Sequence, residues 1–309
     1  MKIKKYVPHF MLLIAAMIWG FGFTAQDAIE SLNAFSIGAV RNWIAGFFLI
    51  LVIMLLDKLR GTGRRLFSRR GVDITKPELI GGILCGIALA AASSLQQLGI
   101  SAGTDGGKAA FITSLYVVLV PIYSLVMHRR APLNVWISVA IAAVGFYFLC
   151  IKSDLSITPS DIWVILCALA FPFHILIIDH FSPRTDGARL SCIQFFTCAL
   201  IQTVPAVIIG GDTVAELGAN ILPVLFLGIG SSGIAYTLQI LGQGGVEPAA
   251  ASIIMSLESV FGVVGAVIIL HSTLSEREYI GCFIVFLAVI LSQLEPKKKK
   301  RSPNITAHQ

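Results

Sequence analysis

The chain has 309 residues, 56% of them hydrophobic and only 13% charged, with a formal net charge of +6. A mean hydropathy of +0.84 leaves too little polar surface for a soluble domain. The positive balance is spread over short loops, which excludes a nucleic-acid-binding patch and points to membrane topology.

Ten apolar stretches fill nearly the whole length, near 8–29, 34–57, 78–100, 106–127, 133–151, 160–181, 187–210, 219–241, 248–270 and 277–295. Each is close to the roughly 20 residues that cross a bilayer as a helix. The first follows Lys2, Lys4 and Lys5 and outruns the 7–15 apolar residues of a signal peptide, so it reads as a retained span. The longest gap, 58–77, is basic and too short to fold alone. Counting the spans in order puts 19 of the 23 lysines and arginines on the side of the two termini. Lys108, Lys152 and Arg277 fall on the other side, and Arg41 lies within the second span. Positive loops stay in the cytoplasm, so the expectation is a multi-pass protein of the inner or plasma membrane with both termini cytoplasmic. The Lys297–Arg301 run is then part of a basic cytoplasmic tail, and the Asn304-Ile305-Thr306 sequon is inert there. All six cysteines fall within spans without CxxC spacing and read as packing residues.

The chain also resembles itself. Shifted by 142 residues, the 22 positions from Gln97 to Val118 contain seven identities, among them Gln97/Gln239, Gly103/Gly245, Ser114/Ser256 and Leu115/Leu257; unrelated apolar sequence gives about two. The third and fourth spans thus correspond to the eighth and ninth, which implies a five-span unit used twice. Five is odd, so the second unit enters the membrane upside down. Inverted repeats are one way to build an alternating-access carrier. The expected fold is all-α and polytopic, ten transmembrane helices in two inverted halves at 1–151 and 152–295, with a tail at 296–309.

Ionisable and amide groups inside hydrocarbon are candidates for function. Arg41, about seven residues into its span, can grip a carboxylate as a bidentate fork or snorkel toward Asp27 or Glu30. Lys108, nearer the interface, reads as an anchor. Gln97 and Gln239 occupy matching repeat positions and suit a neutral or zwitterionic solute, or hold helices together. Glu258 lies about 15 Å into its span, near the midplane, with Tyr116 as its repeat counterpart; it is a candidate for proton coupling, for contact with a solute, or for a protonated packing bond. Trp19 and Tyr236 can line a route or simply pack. His174 sits beside Pro172, where a freed carbonyl suits a hinge or broken helix. Gly82 and Gly86 form a GxxxG face for close helix contact. No HExxH, GxSxG or Walker A run occurs, so neither enzyme nor ATP-driven pump is indicated. No metal site or cofactor is expected, and the expected partners are lipid and a small-molecule substrate, with the chain a monomer or homodimer.

Trp19-Gly20, Arg41, the GKAAFITSLYVVLVP segment at 107–121 and the AYTLQILGQGGVEPAAASIIMSLESVFGVVGAVI segment at 235–268 resemble the EamA-type branch of the drug/metabolite transporter superfamily. The resemblance covers essentially the whole chain. It implies a helical secondary carrier, often an exporter of amino acids or other small metabolites, with a central cavity between two halves; a drug or organic-cation exporter is the alternative. The sequence departs from the family pattern at Glu258-Ser259, where Glu-Pro is common, and at Leu270-His271. The carboxylate that small multidrug relatives carry midway along their first helix has no counterpart in IAAMIWGFGF.

Overall fold

The computed structural model describes residues 3–29, 32–61, 66–68, 71–104, 106–127, 131–150, 157–270 and 275–294. Apart from a hairpin pairing Phe67–Ser68 with Gly71–Val72, their regular structure is helical. The first half holds α1 (Ile3–Asp27), α2 (Ala34–Arg60), α3 (Lys76–Ser101), α4 (Gly106–Ser114), α5 (Tyr116–Val126) and α6 (Leu133–Cys150). The second holds α7 (Pro159–Phe181), α8 (Gly187–Ile209), short α9 (Val214–Ala219), α10 (Ile221–Leu225), a π-helical run Phe226–Tyr236, α11 (Thr237–Gln243), α12 (Pro248–Met255), α13 (Glu258–Leu270) and α14 (Glu276–Ser292). Eight helical runs among the described residues are long and apolar enough to cross a bilayer, and Leu133–Leu149 is apolar but shorter. The 17-residue α14 opens on Glu276, Arg277 and Glu278. Leu51, Val126, Ile208 and Phe283 point outward, as a lipid-facing surface requires. The molecule is a polytopic helical membrane protein.

Contacts between helix ends sort the ends onto two faces. On one, here the terminal face, the end of α2 meets the start of α8: Arg189 donates to both Asp57 oxygens at 2.7 and 2.8 Å. Asp186, which caps α8, also pairs with Arg60 at 2.8 Å and donates its backbone N–H to Glu78 at the start of α3. Asn134 at the start of α6 donates to the carbonyl of Leu294, just past α14. On the opposite face Lys108 pairs with Asp161, whose side chain accepts from the N–H of Thr158, the N-cap of α7, and Thr104 donates to the same carboxylate at 3.0 Å. Asn33, before α2, binds Asp212, after α8.

Close packing depends on small residues, because lipid gives little hydrophobic drive for helices to associate. A Cβ on Gly82 would lie 2.6 Å from the Cβ of Ile193, and one on Gly86 would lie 2.5 Å from the Cβ of Thr197. The GxxxG face of α3 therefore seats α8. At Gly20 the same test gives 2.5 Å to the Cβ of Phe261 and 2.7 Å to the carbonyl oxygen of Glu258, so α1 touches α13 backbone to backbone. Gly20→Ala is expected to cost about 1–3 kcal/mol through overpacking, read as a lower unfolding temperature in detergent; an unchanged midpoint would contradict this contact.

Two spans break without proline or glycine at the break. Between α4 and α5, Leu115 N–H turns back to the Ile112 carbonyl at 3.2 Å; between α12 and α13, Leu257 N–H does the same to Ile254 at 3.2 Å. The two breaks are 142 residues apart. Ser114 and Ser259 share a hydrogen bond of 2.6 Å where the broken spans meet. Pro172, by contrast, leaves α7 continuous from Pro159 to Phe181: of the two expectations there, the broken helix is not formed, because a proline lacks only one helical N–H and packing on neighbouring helices tolerates it.

Candidate functional site

The polar groups of the bundle converge on one cavity. It is walled by Trp19, Phe23 and Gln26 of α1, Arg41 of α2, Ser93 and Gln96 of α3, and Thr113 and Tyr116 at the α4–α5 break. From the other half come Phe171 and Ile175 of α7, Ser231, Tyr236 and Gln239 of the π run and α11, and Met255 and Glu258 at the α12–α13 break. Both broken spans deliver their residues here because a helix interruption lets side chains from consecutive turns face one space. The centres of water-sized spheres fit over about 50 Å³, room for a few waters.

Arg41 is held by neutral groups. Its Nε donates to Ser232 Oγ and its Nη2 to Ser231 Oγ, both at 3.0 Å. Those serines sit in the π-helical run, whose wide turn also leaves the Ser231 carbonyl to accept from Trp19 Nε1 at 3.2 Å. These hydroxyls fix the guanidinium and bring no charge of their own to it. Glu30, one proposed snorkelling partner, and the side chain of Asp27, the other, lie outside the described residues, as do the basic tail and its sequon. Behind Arg41 a chain of amides and hydroxyls stiffens the wall: Ser232 to Asn42, Asn42 to Gln202 at 2.7 Å, and Gln202 to Ser93 and Ser94 at 3.0 and 2.9 Å.

Glu258 is 7% exposed. Tyr116 and Glu258, two positions related by the 142-residue shift, line the same cavity. The Glu258 oxygen Oε1 is buried with no partner among the described groups. A buried carboxyl with one open oxygen can take a proton or a donor from a solute. Aromatic rings line the space between these poles: Trp19 and Tyr236 are 4.7 Å apart by ring centroid, Tyr116 and Phe171 6.2 Å.

Trp19, Arg41, Tyr116, Tyr236, Gln239 and Glu258 thus share one cavity, whereas two residues singled out from the sequence do not reach it. Gln97 is buried off the cavity; its neighbour Gln96 lines it instead and donates to Thr113 Oγ1 at 3.1 Å, the 100° turn per residue separating the two. His174 packs behind Tyr236, with Nε2 on Gln194 Oε1 at 2.9 Å. Sequence reasoning missed Ser231 and Ser232, whose signal is a polar pair between glycines in GIGSSG, and Gln202, one amide in an otherwise apolar turn.

A bundle of membrane helices around a cavity that carries charged and amide groups is an architecture suited to a membrane transporter, and the comparisons with known proteins give that class. The EamA-like transporter family matches residues 7–151 and again 158–294, and the chain belongs to that family. An uncharacterized transporter of Archaeoglobus fulgidus is 30% identical over 295 residues, covering 94% of this chain and 87% of its own. A solved crystal structure shares the fold with a TM-score of 0.74 at 15% identity, covering 93% of this chain and 96% of its own.

Proposed function

We propose that the protein is a secondary transporter that exports a small zwitterionic metabolite, such as an amino acid, by alternating access between two inverted five-span halves. The observation that carries this reading is the shared cavity, to which each half contributes one charged group: Arg41, held by two serine hydroxyls, and Glu258, with one oxygen open among the described groups. A solute bearing both a carboxylate and an ammonium group would satisfy both poles without leaving an ion stranded. Support for the inverted halves comes from the two matched helix breaks and from packing that follows a pseudo-two-fold pattern: α2 against α8, α6 against α14, and α1 against α11 as α7 against α3. The basic loops on the terminal face support a cytoplasmic setting for it.

The direct test is counterflow in proteoliposomes preloaded with mixed amino acids. Trans-stimulated, saturable uptake of a labelled amino acid is expected, and its absence across neutral, acidic and basic amino acids would remove the amino-acid reading. The second reading, an organic-cation exporter, is favoured by the rings around Glu258, since aromatic faces attract cations. Counterflow of a lipophilic quaternary amine without counterflow of any amino acid would select it.

A further inference from the structure

The cavity is closed unequally toward the two faces. Toward the terminal face its floor residues Tyr116, Ile175 and Met255 merge into an apolar cluster with Val120, Val246, Ala250 and Ile254, all buried. Below the floor, Gln239 Nε2 donates to Gln243 Oε1 at 2.9 Å, and Gln243 Nε2 donates to the Ile175 carbonyl at 3.2 Å. Toward the opposite face the lining continues to Gln26, one residue from the end of α1, and to Gln96 near the end of α3.

The 142-residue correspondence makes the asymmetry chemical. Val246 corresponds to Thr104, Ala250 to Lys108 and Val120 to Gly262, while Ile254 corresponds to Ile112. Three of these four positions are therefore apolar below the cavity and polar or bare above it, and the fourth is isoleucine in both repeats. Thr104 and Lys108 are engaged with Asp161, a carboxylate that also accepts from Thr158 N–H at the start of its own helix. If α4 draws away, Asp161 keeps that helix-capping bond and Lys108 meets water. Separating Val120, Val246, Ala250 and Ile254 instead exposes apolar side chains to water, while the nearby Gln243 amide keeps its bonds to Gln239 and the Ile175 carbonyl in the closed packing, so closure is favoured there.

We infer that Val120, Val246, Ala250 and Ile254 form a dry gate on the terminal face, and that its contrast with Gly262, Thr104 and Lys108 holds the resting protein open toward the opposite face. The inference rests on the alternating-access reading, because a gate of this kind acts only if the two closures exchange. Differential hydration of the two closures is then the free energy that biases the two-state equilibrium.

The test reads access rather than flux. In a background lacking the six native cysteines, Ser93→Cys places a thiol on the cavity wall, and an anionic membrane-impermeant methanethiosulfonate is added to right-side-out and inside-out vesicles whose sidedness is fixed by a tag on the C-terminus. Without gate substitutions, the thiol is expected to react from the face opposite the tag and slowly from the tag side. Val120→Gly with Ala250→Lys gives the terminal-face gate the residues of its counterpart, and should raise tag-side labelling about tenfold, with labelling from the opposite face falling in step. Unchanged tag-side labelling in a variant that elutes as a folded species overturns the gate. A rise without the reciprocal fall means that the four residues seal the cavity without exchanging with the other closure, which overturns alternating access and, with it, the gate that rests on it. Should the double variant not fold, the near-isosteric Val246→Thr decides: about a twofold to threefold rise is expected, and none overturns the proposal.

Discussion

Replacing Arg189 with Met is expected to be among the most destabilising single changes in the chain. Arg189 and Asp57 are 3% and 6% exposed, and the pair bridges α2 and α8 from different halves. Removing one partner leaves a buried carboxylate that water cannot reach, which costs about 3–5 kcal/mol. The double replacement Asp57→Leu with Arg189→Met removes both charges, and such an exchange is often neutral in itself. Here it also strips the Leu66 backbone N–H of its acceptor, since Asp57 Oδ2 holds that group at 2.8 Å; a residual loss of about 1–3 kcal/mol should remain. Unfolding midpoints of the two single variants and the double, compared in one detergent, form a cycle. The double should be more stable than Arg189→Met alone; if Arg189→Met unfolds with the wild type, the pair does not bear on stability.

Much of this arrangement was legible because lipid demands long apolar helices, and long apolar runs are the strongest signal a sequence carries. The boundaries of α2, α3, α7 and α8 fall within a few residues of the expected ones. Four helix starts carry capping boxes, Thr75 with Glu78, Thr158 with Asp161, Thr213 with Glu216 and Ser275 with Glu278, a spacing readable from sequence. The internal irregularities were not legible. Pro172 drew attention and leaves its helix whole, while Leu115 and Leu257 carry breaks with no breaker residue. Their cause is tertiary: the broken spans meet through Ser114 and Ser259, and each interruption turns residues into the cavity. The π run is partly different, since the glycines and serines of GIGSSG loosen the helix locally, yet which wider turn they take is fixed by Arg41 and Trp19, which both bond to it. Residues one position apart, such as Gln96 and Gln97, cannot be assigned to a cavity until the rotation of their helix is known.

Glu258→Gln is the change expected to separate the roles the cavity offers. Glutamine keeps the size and hydrogen-bonding capacity of the carboxyl, but it neither exchanges a proton nor carries charge. If the carboxylate grips the cationic group of the solute, counterflow of that solute should fall about 100-fold, in line with the roughly 2–5 kcal/mol lost when a buried hydrogen-bonded charge pair loses one partner. If it carries the proton that drives transport, uphill movement should disappear while exchange down equal gradients survives. The sign of the pH effect follows from the chemistry: glutamine imitates the protonated acid, so the variant should at every pH behave as the wild type does at its acidic end, with a flat profile. Arg41→Gln should act on the other pole, abolishing recognition of carboxylate-bearing solutes and leaving cations of the same size untouched; Arg41→Lys should not restore it, because a lysine cannot bond Ser231 and Ser232 as a fork while facing the solute. Selective losses at opposite ends of one solute are the signature of a zwitterion held between the halves. Equal loss from both variants on every solute would instead mean that Arg41 and Glu258 only stabilise the packed walls.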